Sequence, residues 1–401
     1  METTPKGKRM TLKQTSGSLK CLIDVLSTKL EPFAKHLANA KWQAQQFDSL
    51  RKQVPKEWVL MYIDFAENYN CHFQDEAQSA HWSYNQATVH PIVAYYNCPK
   101  ESCREVTHES MIFISDDRVH DQHAVQHFIT IATEHLAHQG IPMVRQVHFS
   151  DGAGSQYKNK VSFNDASFGM DDLGFPIEKH FFGSRHGKGP CDAEIGVVKK
   201  CASRAVLARQ VIIANAHDLY KFRRDYLTLP KGTQEEHTHA KRKFFFVRDG
   251  EVKRGDERIA RTEGLKPVPQ TRAMHSFVGE RPNIVSARER SCFCEMCIAK
   301  DHASCVNTNF LGTWKTSLKG RGEVFNKPLE VDDSILPTLV NLMPVTNNCS
   351  YGISTCATSA EILTSSSDPI SLVSESAGPC PDVTNGLQTD GEWQLRQGDD
   401  W

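Results

Sequence analysis

The chain has 401 residues, 39% hydrophobic and 24% charged, with a formal net charge of −1, which fits one large domain or two ordinary ones able to bury a core. No apolar run approaches the roughly 20 residues that a bilayer-spanning helix needs, and the polar stretch 1–14 lacks the apolar segment of a secretory signal, so neither a membrane protein nor a secreted one is expected. The 13 cysteines, odd in number and with four crowded between Cys292 and Cys305, suit metal ligation or free thiols in an intracellular, reducing setting better than a disulfide framework. The near-zero net charge hides an asymmetry. Residues 330–401 hold eleven acidic side chains and one basic, which leaves 46 basic against 37 acidic in the remainder. A basic body of this kind suits a polyanionic partner such as DNA, because lysine and arginine contacts to phosphate release condensed counterions.

Phe33, Leu37, Ala40, Ala44 and Phe47 recur at helical spacing and predict a helix over 30–53, stopped by Pro55. A strand is expected at 58–65, closing on Asp64 in Tyr62-Ile63-Asp64-Phe65-Ala66-Glu67. β-Branched and aromatic residues predict further strands at 84–96 and 110–115, the three forming a meander. Residues 121–138 keep helical period through Ala124, Val125, Phe128, Ile131, Ala132 and Leu136 and stop at Gly140-Ile141-Pro142. The nearby His120, His123, His127, His135 and His138 read as a polar face. A strand at 144–149 runs into Ser150-Asp151-Gly152, followed by a polar stretch with Lys158 and Lys160, a Gly- and Asp-rich loop at 169–174 and a strand at 177–182. After Gly187-Lys188-Gly189-Pro190 a single long helix is expected from 192 to about 220, with Ile195, Val198, Ala202, Ala205, Val206, Arg209 and Ile212 in period.

Three antiparallel strands followed by alternating strands and helices is the order of a ribonuclease-H-like fold, an α/β mixed sheet flanked by helices. In that fold the first and fourth strands lie side by side. Asp64 and Asp151 would then approach each other, and the helix after the fifth strand would deliver Asp192 or Glu194. Phosphodiester chemistry uses such a cluster to hold two Mg²⁺ or Mn²⁺ ions about 3.5–4 Å apart through shared carboxylate oxygens. Asp192 and Glu194 lie about 200° apart round a helix, so only one can face the metals.

Ile63-Asp64-Phe65-Ala66-Glu67-Asn68-Tyr69, Asp151-Gly152-Ala153-Gly154-Ser155-Gln156-Tyr157-Lys158 and His186-Gly187-Lys188-Gly189-Pro190-Cys191-Asp192 resemble the core blocks of transposon-derived DDE/DDD-type transposases of animal genomes, within the integrase superfamily. The resemblance covers about 41–315. It implies that Asp64 and Asp151 are the first two catalytic carboxylates and that Asp192 fills the Asp slot of the Gly-Lys-Gly-Pro-x-Asp block, with Glu194 as the alternative. It also implies metal-dependent cleavage or strand transfer of DNA. The competing class is a non-enzymatic, host-retained DNA- or chromatin-binding protein, and a ribonuclease on the same fold is a third reading. Lys158, Lys160, His186, Lys188 and Lys199 are candidate phosphate contacts. Only a basic start and one helix precede the first strand, so the chain reads as a core without a DNA-end-reading module. Its expected place is the nucleus, with a homo-oligomer as a candidate assembly.

Cys292, Cys294, Cys297 and Cys305 form a candidate structural zinc site, for which His302 offers a substitute ligand. Lys241-Arg242-Lys243 runs into Phe244-Phe245-Phe246 and reads as a nuclear-localisation patch, a DNA-facing edge, or an edge strand flanked by charge. From 334 onward Ser, Thr, Asn, Pro and Gly predict disorder. The expected division is a basic start and leading helix (1–56), the ribonuclease-H-like core (57–230), a basic extension with the Cys-rich knuckle (231–329) and an acidic tail (330–401).

Overall fold

A computed structural model describes residues 2–4, 7–9, 13–71, 85–184, 186–187, 189–230, 237–255, 261–318 and 393–397. Strand β1 (Trp58–Ile63) is apolar at nearly every position, and Val59, Leu60, Met61, Tyr62 and Ile63 are all buried. A strand covered on both faces must sit in the middle of a layered sheet. β2 (Tyr69–Cys71) folds back on β3 (Asn85–Asn97), which pairs antiparallel with β1 and with β4 (Val106–Ser115). β5 (Arg145–Ser150) lies parallel to β1 on its other side, and β6 (Ile177–Phe181) lies parallel to β5.

Four strands from the stretch read as a basic extension, at 240–247, 276–281, 284–288 and 315–318, join the same sheet. β7 (Ala240–Val247) adds parallel to β4 at one edge. β8 (Ser276–Arg281), β9 (Ile284–Arg288) and β10 (Lys315–Leu318) continue antiparallel beyond β6. The result is a ten-stranded mixed sheet in the order β7-β4-β3-β1-β5-β6-β8-β9-β10, with β2 attached to β3. Two small antiparallel pairs stand apart from it, Glu2–Thr4 with Gly7–Arg9 and Lys13–Gly17 with Trp393–Gln397. The rest of the acidic tail lies outside the described residues, and with it the expectation of disorder there.

Helices cover both faces. On one, α2 (Gln122–His138) buries Ala124, Val125, Phe128, Ile129, Ala132 and Leu136 against Met61, Ile63 and Phe113. Phe163 of α3 (Lys160–Ser167) stacks at 4.0 Å on Phe277, and α4 (Gly169–Leu173) follows it. The other face is shared. The C-terminal half of α1 (Leu19–Lys52) packs Phe47 and Leu50 on Leu60, Tyr62 and Phe149, while α5 (Pro190–Leu207) and α6 (Ala216–Leu227) cover Val89, Ile112 and Ile114. No helix among the described residues is long and apolar enough to cross a membrane.

Three differences from expectation have local causes. α1 begins at Leu19 rather than near 30, because Ser18 caps it by accepting the Cys21 N–H. The single helix expected to about 220 is two. Arg209 adopts a left-handed conformation (φ 57°) and Asn215 then caps α6 by accepting the Asp218 N–H at 2.9 Å. His135, read as part of a polar face, instead meets the fully buried carboxylate of Glu109 at 2.7 Å, which also accepts from Tyr96.

Candidate active site

β1 and β5 run parallel in the register Ile63↔Ser150. The next residue on each strand, Asp64 and Asp151, therefore leaves the sheet side by side, from strands about 4.8 Å apart. Beyond β6 the chain turns back over these ends. Phe182 N–H bonds the Ser150 carbonyl at 3.1 Å, His186 N–H bonds the Gly183 carbonyl, and the Tyr62 hydroxyl donates to the Gly187 carbonyl. Two glycines permit this approach. A Cβ on Gly187 would lie 3.3 Å from that of Asp151, and one on Gly189 would lie 2.7 Å from the Tyr62 ring. Gly189→Ala is accordingly expected to cost about 1–3 kcal/mol in a denaturant titration, because the start of α5 must lift off β1.

Gly189 is the N-cap of α5, Pro190 occupies its first turn, and Asp192 stands at the third helical position with Oδ2 accepting the Gly189 N–H at 2.9 Å. The buried Cys191 thiol donates to the carbonyls of Tyr62 (3.3 Å) and Pro91 (3.5 Å), which pins that turn to β1 and β3. Asp192 thus joins the other two carboxylates. Burial, with the charges of Asp151 and Asp192, pushes the Asp64 carboxyl up to about 7. Burial likewise raises Asp151, against a hydrogen bond that it accepts from the Ala153 N–H at 3.0 Å. Among the described residues no lysine, arginine or histidine forms an ion pair with any of the three. Neighbouring carboxylates without a cation repel one another, and their hard oxygen donors fit Mg²⁺ or Mn²⁺.

Glu194 has another partner. Its Oε2 accepts from Arg242 Nε at 2.7 Å, across the sheet face on β7. The basic cluster around Arg242 is structural to that extent: it lies on the edge strand, and Lys241 donates to Gln139 at 3.0 Å.

The five candidate phosphate contacts separate. The stem of Lys158 passes 3.6 Å from where a Cβ on Gly152 would stand. Its ammonium bonds the Arg272 carbonyl at 3.3 Å, lies 5.3 Å from the Phe181 ring, and is lowered by burial to about 8. Lys160 is tied to the Leu265 carbonyl at 3.0 Å. His186 is exposed beside His36, with ring centroids 5.2 Å apart. Lys199 sits half-buried two turns along α5 from Asp192, lowered by burial while Glu67 favours its charge. Lys188 lies outside the described residues. A cleft of about 560 Å³ between α1 and the start of α5, lined by Arg51, Tyr62, His108, His186 and Gly189 among others, was not read from the sequence, because separate elements supply its walls. It shares Tyr62 and Gly189 with the surroundings of the carboxylates.

The sulfurs of Cys292, Cys294, Cys297 and Cys305 lie within 4.8 Å of one another, with Cys305 3.9 Å from Cys292 and 3.7 Å from Cys294. Tetrahedral zinc with Zn–S bonds of about 2.3 Å requires sulfurs about 3.8 Å apart, so the four can hold a metal ion such as zinc. His302, the substitute ligand considered, is not one of the group and packs near Trp314. The knuckle includes the short helices α7 (Glu295–Ile298) and α8 (Thr308–Leu311). α1 grips it: Trp42 Nε1 donates to the Ser291 carbonyl at 2.7 Å, and Gln46 accepts the Phe293 N–H at 2.8 Å. Two residues before Trp42, Ala40 packs where a Cβ on Gly183 would stand 2.7 Å away, so one helix links the knuckle to the loop that leads to Asp192.

A protein-family model described as a domain of unknown function (DUF8701) matches residues 43–291. Neither the curated proteins nor the solved structures contain a match.

Proposed function

The chain belongs to the family described as a domain of unknown function (DUF8701), and we propose that its core is a ribonuclease-H-like nuclease of transposase ancestry, acting on DNA in the nucleus. The observation that carries this reading is the assembly of Asp64, Asp151 and Asp192 from β1, β5 and the first turn of α5, with no ion pair to any of them among the described residues. The order β4-β3-β1-β5-β6, in which only β3 runs against the others, supports it. So does the basic body.

Mg²⁺ or Mn²⁺ bound by the three carboxylates would supply a metal-activated oxygen nucleophile and stabilise the leaving oxygen. The chain's own residues prepare that site. Asp64, protonated up to about pH 7 when alone with its neighbours, releases its proton to become a ligand. The Tyr62–Gly187 hydrogen bond and the Cys191 thiol hold the first turn of α5, and with it Asp192, against β1.

The deciding assay incubates the purified chain with single- and double-stranded DNA in Mg²⁺ or Mn²⁺ and in a chelator. Cleavage is expected only with the metal. Asp192→Asn should lose it, while Glu194→Gln should keep activity within a fewfold and lose stability through Arg242. DNA binding with no cleavage on any substrate would replace the enzyme by the retained DNA-binding protein.

The reading includes self-association. Leu19, Ile23, Leu26, Leu30 and Leu37 of α1 are exposed at heptad spacing, the stripe by which a second copy would form a coiled coil. Leu26→Glu with Leu30→Glu should then halve the mass measured by light scattering. A wild-type monomer would remove this part of the proposal.

A further inference from the structure

At the turn between β3 and β4 the chain places Cys98 and Cys103, and at the entry to β7 it places His237 and His239. These two pairs lie more than 130 positions apart in sequence, yet the four ligand atoms all fall within 4.8 Å of one another. Cys98 Sγ is 3.9 Å from His237 Nε2, Cys103 Sγ is 3.1 Å from His239 Nε2, and the two imidazole centroids are 4.7 Å apart. Tetrahedral zinc with bonds of about 2.3 Å to sulfur and about 2.0–2.1 Å to nitrogen sets sulfur and nitrogen about 3.5 Å apart, between the two observed values.

The backbone is shaped to present these groups. Cys98 N–H bonds the Glu105 carbonyl at 3.0 Å and Cys103 N–H bonds the Lys100 carbonyl at 2.9 Å, which closes the turn around both thiols. Glu105 N–H then donates to Cys103 Sγ at 3.5 Å, an interaction that favours a thiolate. On the other side, His108 N–H bonds the His239 carbonyl at 2.8 Å, so β4 itself fixes the position of the second histidine.

We propose that Cys98, Cys103, His237 and His239 bind a second zinc ion in a closed Cys₂His₂ sphere. Two thiol protons are lost on binding, so two thiolates balance the charge of Zn²⁺ and both imidazoles bind neutral. Four protein ligands leave no open position, which makes the site structural. Its place agrees with that role. It lies beyond the Trp58 end of β1, whereas the carboxylates lie beyond Ile63, roughly 20 Å along the sheet. There the ion staples β7, an edge strand, to the β3–β4 turn that it must find in order to pair with β4.

The test is zinc content and coordination in the full chain purified with added Zn²⁺ and no chelator. Two zinc ions per chain are expected, with an average sphere by X-ray absorption of three sulfurs and one nitrogen. His237→Ala with His239→Ala should leave one zinc bound by sulfur alone. Cys292→Ser with Cys297→Ser should leave one zinc bound by two sulfurs and two nitrogens. Should either variant fail to fold, the wild-type spectrum still decides. A single all-sulfur zinc in the wild type, or a Cys98–Cys103 disulfide in the mass spectrum of the unreduced chain, overturns the proposal.

Discussion

Asp64→Asn should abolish metal-dependent DNA cleavage while making the metal-free protein more stable. On the proposed function the lost activity follows from removing one of three carboxylates that would hold the cations, and a deficit of several kcal/mol in transition-state stabilisation corresponds to roughly 10³-fold in rate. The gained stability follows from the Asp64 carboxyl being pushed up to about 7 by burial and by Asp151 and Asp192. In the unfolded chain the same group ionises near pH 4. Between those values the folded state holds a proton that the unfolded state has released, so stability falls as pH rises from about 4 to about 7. Above pH 7 the native protein carries the whole cost, at most about 4 kcal/mol, whereas the neutral amide of the variant has no charge to bury. Thermal unfolding in chelator at pH 8 should place the variant above the wild type, with the gap closing toward pH 4. Mg²⁺ or Mn²⁺ should raise the wild-type Tm and leave the variant unmoved. A wild type that is the more stable at pH 8, or a metal shift equal in both, would show that the carboxylates are not a strained cation site. Asp151→Asn should lose activity to the same extent yet bind DNA as before, with affinity still falling steeply as salt rises.

The elements around this cluster were legible because their residues are periodic and local. β1 reads as a buried strand from its own apolar run, and α2 from the spacing of Ala124, Val125, Phe128, Ala132 and Leu136. Asp64 and Asp151 stood out because each terminates such a run. Asp192 and Glu194 could not be separated, since the residue that engages Glu194 is Arg242, 48 positions away on an edge strand. The break in the helix after Leu207 was hidden as well. Arg209 and Ile212 keep the helical period in sequence, but Arg209 takes a left-handed backbone that no pattern of apolar residues reports.

Pairing across long separations was the least legible feature. β8, β9 and β10 are four to six residues long, and their alternation of Phe277, Val285 and Ala287 acquires meaning only beside β6. The four knuckle cysteines announced themselves by crowding within 14 positions. Cys98, Cys103, His237 and His239 did not, because the sheet alone brings the two pairs together. The cleft under α1 shares this origin: Arg51, His108 and His186 are contributed by a helix, a strand and a loop.

The knuckle should prove as consequential for the fold as the carboxylates are for chemistry. Metal held by Cys292, Cys294, Cys297 and Cys305 would fix the segment that α1 grips through Trp42 and Gln46, and Phe310 meets the Trp42 ring edge-on at 4.9 Å. Metal-site binding energy is folding energy, because the unfolded chain does not hold the ligands together. Removing two thiolates should therefore do more than empty a local site: α1 loses its anchor, and its contacts at Gly183 and Phe182 with the loop before Asp192 loosen in turn. Cys292→Ser with Cys297→Ser is expected to lower stability by about 3 kcal/mol or more, a drop in Tm of roughly 5 °C or more for a domain of this size. It should also expose α1 to protease before the central sheet is cut, and reduce any nuclease activity without touching a catalytic carboxylate. Strong chelation of the wild type should reproduce the loss of stability and the exposure of α1, and added Zn²⁺ should reverse both where Mg²⁺ does not. An unchanged Tm, with α1 as resistant to protease as before, would mean that the four sulfurs are only closely packed thiols.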